Sequence, residues 1–177
     1  MSEKLPSREQ AIQLLYENRC SAQVVRHCRA VARLALETGQ ILKKKGYNID
    51  LQLVELGALL HDIGRSRTHS IHHAVVGAEM AKAAGLPSSL ISIIKRHVGG
   101  GIDSTEAEEL GWPNYDVYIP MTLEEKVVSY ADKLIEGSKR APITIVMEQL
   151  KRNRKPEAAE KVRKLHEEIS KLLGEET

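Results

Sequence analysis

The sequence predicts an all-helical protein, and three observations carry that reading. Apolar residues recur at three- and four-residue spacing through almost the whole chain. No stretch alternates apolar and polar residues convincingly enough to read as a strand. Capping residues and glycines punctuate the chain at helix-length intervals.

Each element follows in order. Ser7 with Gln10 has the spacing of a capping box, in which the two side chains satisfy each other's free backbone N–H groups. A first helix therefore opens there and runs to about Asn18. Ser21 opens a long second helix, which ends near Lys45 and Gly46, where glycine suits the left-handed stop. Asp50 caps a third helix to about Asp62, and Gly64 breaks it. A polar stretch, Arg65 to Ser70, leads into a fourth helix, about Ala74 to Ala84, stopped by Gly85. Pro87 or Ser88 starts a fifth, which ends at Gly99, Gly100 and Gly101. Residues 98–121 form a long connection with one short helix capped by Thr105 and Glu108. Connections of this length in a compact domain are usually functional or disordered. Thr122 and Glu125 form another capping box, opening a sixth helix to about Ser138. The remainder is helical and charged, with one narrow apolar stripe at Ala158, Val162, Leu165, Ile169 and Leu172.

A length of 177 residues suits one domain. The expected organisation is a single domain over 1–177, with a core over about 20–140, a long loop over 98–121 and a C-terminal helical extension over 141–177. Apolar residues make up 42% and charged residues 28%, enough to build a core and too apolar for a disordered chain. The net charge is only +2, from 26 basic and 24 acidic residues, which argues against a nucleic-acid partner. No apolar run approaches the roughly 18 residues of a membrane span. The N-terminal MSEKLPSREQ is polar and does not read as a signal peptide. Cys20 and Cys28 make neither a disulfide framework nor a CxxC site. The expected location is the cytoplasm, without a membrane partner, and a homo-oligomer is open.

Four helices share an anomaly. His27 sits among Val24, Val31 and Leu34 on the second helix. His61 and Asp62 continue the apolar face of Val54 and Ala58 on the third. His97 follows Leu90, Ile93 and Ile94 on the fifth, and Asp132 lies between Val128 and Ile135 on the sixth. Residues three and four apart share a face, so these polar groups point inward. A buried carboxylate needs a cation, a hydrogen-bond network or a metal. Three imidazoles and two carboxylates converging from four helices make a metal centre the economical explanation. Such ligands suit Zn, Fe, Mn or Ni better than Ca.

The string LLHDIGR, with an upstream histidine and a downstream ADKL, resembles the HD-domain superfamily of metal-dependent phosphohydrolases. The resemblance implies an all-helical bundle and a primary metal held by His27, His61, Asp62 and Asp132. HHAVVGAEMA, IIKRHVGGG and LEEKVVSYADKLIEGSKR follow in order. They are similar to the bacterial HD subfamily that hydrolyses diadenosine tetraphosphate symmetrically, and closest to small single-domain HD proteins with a GGGI loop. That likeness implies a second metal at His73 and His97. The expected cofactor is thus one or two divalent transition metal ions, among Fe, Mn, Co, Ni and Zn.

The chemistry fits the ligand types. Phosphate ester hydrolysis needs a Lewis acid and a hydroxide available at neutral pH, and two metals about 3.5–4 Å apart supply both. Asp62 is the natural bridge, since its carboxylate has two oxygens and directly follows a ligand histidine. Arg65, just past the helix break, can fork onto a phosphate, and Arg67 is either a second phosphate ligand or a solvated loop side chain. Asp62 and Arg65 are the catalytic candidates, and Arg65, Arg67 and His72 the substrate-binding ones. His69 and His72 in THSIHH are exposed loop residues, metal ligands or general acids. Trp112 either covers a base or anchors its loop. His166, in the charged tail, is expected at the surface.

The function expected from this set is a hydrolase of a phosphate ester or anhydride in a small molecule, a nucleotide or dinucleotide. Two alternatives use the same residues: an HD-type di-iron oxygenase, which shares the ligand order but spaces the next histidine more widely after its HD pair, and a non-catalytic nucleotide-binding module.

Overall fold

The helix that organises the protein is the third. In the computed structural model, which describes residues 4–175, α3 spans Leu51–Leu60 and buries Val54, Leu56, Gly57, Ala58, Leu59 and Leu60. A helix with so wide an apolar face, only Gln52 and Glu55 being polar, belongs in the centre of a core. Around it pack α1 (Arg8–Glu17), α2 (Ala22–Lys44), α5 (Ser88–Arg96) and α7 (Leu123–Lys133). The outer domain limits, 1 and 177, and the first residues of the N-terminal reading lie outside the described residues.

The capping chemistry fixes where the helices begin. Ser7 with Gln10 and Thr122 with Glu125 form complete capping boxes, and the side chains of Ser21 and Asp50 accept from the third residue of their helices. Each such cap is worth about 1 kcal/mol. A 3-10 turn over Ile63–Ser66 follows α3, and α4 (His73–Ala83) lies across it. Two glycines make the crossing possible. A Cβ on Gly64 would stand 2.0 Å from the His73 carbonyl oxygen, and one on Gly77 would stand 3.1 Å from the Gly64 nitrogen. Gly64 is therefore required by close backbone approach rather than as a helix breaker.

The expected all-helical class holds, with local corrections. The helices after Asp50 and Pro87 end earlier than expected, at Leu60 and Arg96, which places His61 and His97 at the C-caps. The short helix of the long connection, α6 (Ser104–Glu109), is capped by Asp103 with Glu106, two residues before the expected pair Thr105 and Glu108. The helix after Thr122 ends at Lys133, because residues 135–140 form a small antiparallel hairpin: β1 (Ile135–Glu136) pairs with β2 (Lys139–Arg140) around Gly137, at φ 61°. Four strand residues carry too little pattern to be read as strand.

The C-terminal segment is two helices, α8 (Ile143–Arg152) and α9 (Pro156–Leu173). The expected stripe buries Val162, Leu165 and Ile169, and α9 packs on α7 and α2. His166 is half-buried rather than fully at the surface: its ring stacks on Tyr130 at 5.5 Å and its Nδ1 is buried. Gly100 explains how this segment is seated, since a Cβ there would stand 2.4 Å from the Lys161 carbonyl carbon on α9.

Candidate metal centre

Six side chains converge at one place beside the buried end of α3. His61 and Asp62 come from its C-terminus, His27 from the second turn of α2, Asp132 from the last turn of α7, His73 from the start of α4 and His97 from the end of α5. His61, Asp62, His73 and His97 are buried, and His27 and Asp132 are partly so.

The donor atoms fall into two groups that share Asp62. Asp62 Oδ2 lies 3.7 Å from His27 Nε2 and 3.6 Å from His61 Nε2, while Asp132 Oδ1 lies 3.0 and 3.3 Å from the same two nitrogens. Asp62 Oδ1 faces the other way, 3.1 Å from His73 Nε2 and 3.3 Å from His97 Nε2, which are 3.0 Å from each other. Donors about 2.0–2.1 Å from a tetrahedral ion stand about 3.4 Å apart. Three overlapping trios drawn from these residues keep all their donor atoms within 4.8 Å of one another.

The outer hydrogen bonds set the rings. Each histidine Nδ1 meets a backbone carbonyl: His27 at Gly137, 2.6 Å, and His61 at Ala58, His73 at Ser70 and His97 at Ile94, all 2.7 Å. A carbonyl only accepts, so each Nδ1 carries the proton and each neutral ring aims an Nε2 lone pair inward. Two such lone pairs 3.0 Å apart repel, and a cation between them removes the conflict. His61 Nε2 is also buried without a hydrogen bond. The residues present therefore fit divalent metal ions.

The electrostatics agree. Burial would raise the Asp62 pKa, but positive charge at His61, with the close contacts of His73 and His97, keeps it well below the usual carboxylate range. Burial also opposes ionisation of Asp132, and Lys133 and His61 overcome it. Burial disfavours charge on His61, yet Asp62 and Asp132 hold its proton affinity well above that of free imidazole. The site thus attracts positive charge at Nε2, from a proton or a metal. Burial pushes His97 down to about 4, against its contact with Asp62, so its ring is neutral at neutral pH.

Lys133 belongs to the set although its spacing gave no hint of it. Its Nζ binds Asp132 Oδ2 at 2.6 Å and the His97 carbonyl at 3.1 Å, which turns Asp132 Oδ1 toward the histidines. Of the substrate-binding candidates, Arg65 is beside the centre: its Nε donates to Asp62 Oδ2 at 2.9 Å and its Nη1 to the His69 carbonyl at 3.0 Å. Arg67 is exposed and lines no cavity next to the ligands. His72 is also exposed, and its Nδ1 accepts from Trp112 Nε1 at 2.8 Å. Trp112 packs with Tyr118, Ile102 and Ala74, the anchoring arrangement.

Two cavities reach the centre. A small one of about 270 Å³ is bounded by His27, Asp62, Arg65, His69 and Gly137. A larger one of about 890 Å³ meets it at Arg65 and His73, and Val98, Gly99, Gly101, Ile102, Glu106 and Leu110 of the long connection form part of its wall.

The family model of the HD domain matches residues 24–137, more than half of the chain. The chain belongs to the HD domain family. Among relatives of this HD domain, the uncharacterized protein MJ0778 of Methanocaldococcus jannaschii is 47% identical over 93% of this chain and 98% of its own length. The tRNA (cytidine(56)-2'-O)-methyltransferase of Thermoplasma volcanium is 39% identical over 97% of this chain, which spans only 49% of that protein. Ribonuclease Y of Acidothermus cellulolyticus is 36% identical over 86 residues, 16% of its length. The crystal structure of the HD domain of the L. monocytogenes phosphodiesterase PgpH in complex with cyclic-di-AMP superimposes with a TM-score of 0.54, covering 93% of this chain and 96% of that one. At 18% identity this likeness is one of fold.

Proposed function

We propose that this HD domain is a metal-dependent hydrolase of a phosphate ester or anhydride in a nucleotide, working as one cytoplasmic domain built on a core over about 20–140. One observation carries the reading: Asp62 presents its two oxygens to two separate histidine pairs, the arrangement of a carboxylate shared by two ions. His27, His61, Asp62 and Asp132 would hold one ion, and Asp62, His73 and His97 a second, from among Fe, Mn, Co, Ni and Zn. When bound, the ions supply a Lewis acid for phosphoryl oxygens and a hydroxide at neutral pH. The protein's own groups do the rest. The Nδ1 bonds keep the rings fixed, Lys133 keeps Asp132 turned, and Arg65 offers a guanidinium to the phosphate from the wall common to both cavities. The names of the relatives support a nucleotide substrate, since they concern cyclic-di-AMP, a ribonuclease and a tRNA-modifying enzyme.

The test is metal analysis of the purified protein, then a panel of nucleotides and dinucleotides assayed with each metal. Turnover that follows metal content is expected. No turnover across the panel, with oxygen consumption on iron loading, would place the protein with the oxygenases instead.

A further inference from the structure

The large cavity has a wall from outside the HD match. Beyond Arg65 and His73 and the long connection, it is bounded by Arg154 and Lys155 from the turn between α8 and α9, with Leu150 of α8 and Ala158 of α9 on either side. The Arg154 and Lys155 side chains are exposed and, among the described residues, carry no hydrogen bond or ion pair. Of the three acids of the same cavity, Glu106 is tied to Lys161 and to the Asp103 N–H, and Glu109 and Glu157 make no ion pair with Arg154 or Lys155. Arg154 also has φ 57°, a conformation in which a non-glycine residue costs about 1–2 kcal/mol and glycine is the usual occupant. The turn is held in place because Gly100 touches the α9 backbone at Lys161.

We infer that Arg154 and Lys155 form a second anion subsite in the substrate cavity, so that the substrate is a nucleotide bearing a further phosphate besides the one at the metal centre. The inference rests on the hydrolase reading for the role of the cavity. A volume of about 890 Å³ lies near the top of the roughly 300–1,000 Å³ of small-molecule sites, which leaves space for a dinucleotide. Each charged hydrogen bond lost is worth roughly a 10-fold or greater change in affinity.

The experiment compares the full chain, loaded with Mn, with Arg154→Gly and Lys155→Ala. Binding of the dinucleotide pApA is measured by calorimetry, and turnover of bis(p-nitrophenyl) phosphate, which has a single phosphate, is measured separately. The expected result is pApA affinity weakened about 10-fold or more in each variant, with the single-phosphate turnover unchanged. Arg154→Gly removes the left-handed arginine, so its Tm should equal or exceed that of the parent and separates loss of the subsite from loss of fold. Unchanged pApA affinity in both variants would overturn the subsite. Weakened pApA binding in a protein that turns over neither compound would keep the subsite and overturn the hydrolase reading.

Discussion

Asp62 offers one oxygen to His27 and His61 and the other to His73 and His97, so its removal should empty both groups of their ion together. Asp62→Ala is expected to lose all bound metal by elemental analysis, and full metal content in that variant would refute the ligand assignment. Arg65→Ala should keep its metal and lose about 30- to 150-fold in kcat/KM, the equivalent of about 2–3 kcal/mol of charged hydrogen bonding. Lysine at that position should restore part of the loss, since it keeps the charge and lacks the fork. Lys133 acts through Asp132 as a positioning residue. Lys133→Met should weaken metal binding about 10- to 100-fold, measured by competition with a chelator, and Lys133→Arg should recover part of it. His27, His61, His97 and the two aspartates were legible because a polar residue on an apolar helix face is conspicuous, whereas His73 was implied only by the resemblance that HHAVVGAEMA carries. Lys133 was not, because a lysine beside an aspartate on a helix has the same pattern as a solvated pair. For His72, the sequence does not show that Trp112 donates to its Nδ1.

Backbone contact between elements places the second histidine pair. Gly64 lets α4 lie against the 3-10 turn, and the same contact brings His73 to Asp62. Gly64→Ala should destabilise the fold by about 1–3 kcal/mol in urea titration and lower the metal content from two ions toward one. Unchanged stability and stoichiometry would show that α4 can shift freely. The long connection is strapped to the core by Lys95 on Asp116 and by Arg96, itself paired with Glu125 of α7, on the Val117 carbonyl. Partial burial would raise the Asp116 pKa, but the Lys95 hydrogen bond and the Val117 N–H hold it below its usual 3.8. Its folded pKa is thus below its unfolded one. The stabilisation is complete above the unfolded value and fades as pH falls through the folded one. Trp112, the single tryptophan, lies in this strap. Its emission should move to the red below about pH 4 before helical circular dichroism declines; simultaneous loss of both signals would contradict a separately held strap. The connection was legible as a long irregular segment from its glycines and prolines. The extended stretch within it was not, since a single backbone bridge, Ile102 to Tyr118, leaves no run of paired residues to read.

At the scale of the whole molecule, the helical class was legible because spacing, caps and glycine stops all agreed. The cavity was not, because its walls join Arg65, the residues after Val98 and the α8–α9 turn, and local periodicity says nothing about which distant segments meet. The HD fold therefore supplies the residues that would hold the metal, while the segment after residue 140 supplies part of the space in which a substrate would sit. One carboxylate serving two ions is a geometry that anomalous diffraction from crystals grown with saturating Mn can read. It predicts two peaks about 3.5–4 Å apart, one on each side of Asp62, with His27, His61 and Asp132 on the first and His73 and His97 on the second. A single peak, with His73 and His97 left unligated, would contradict it.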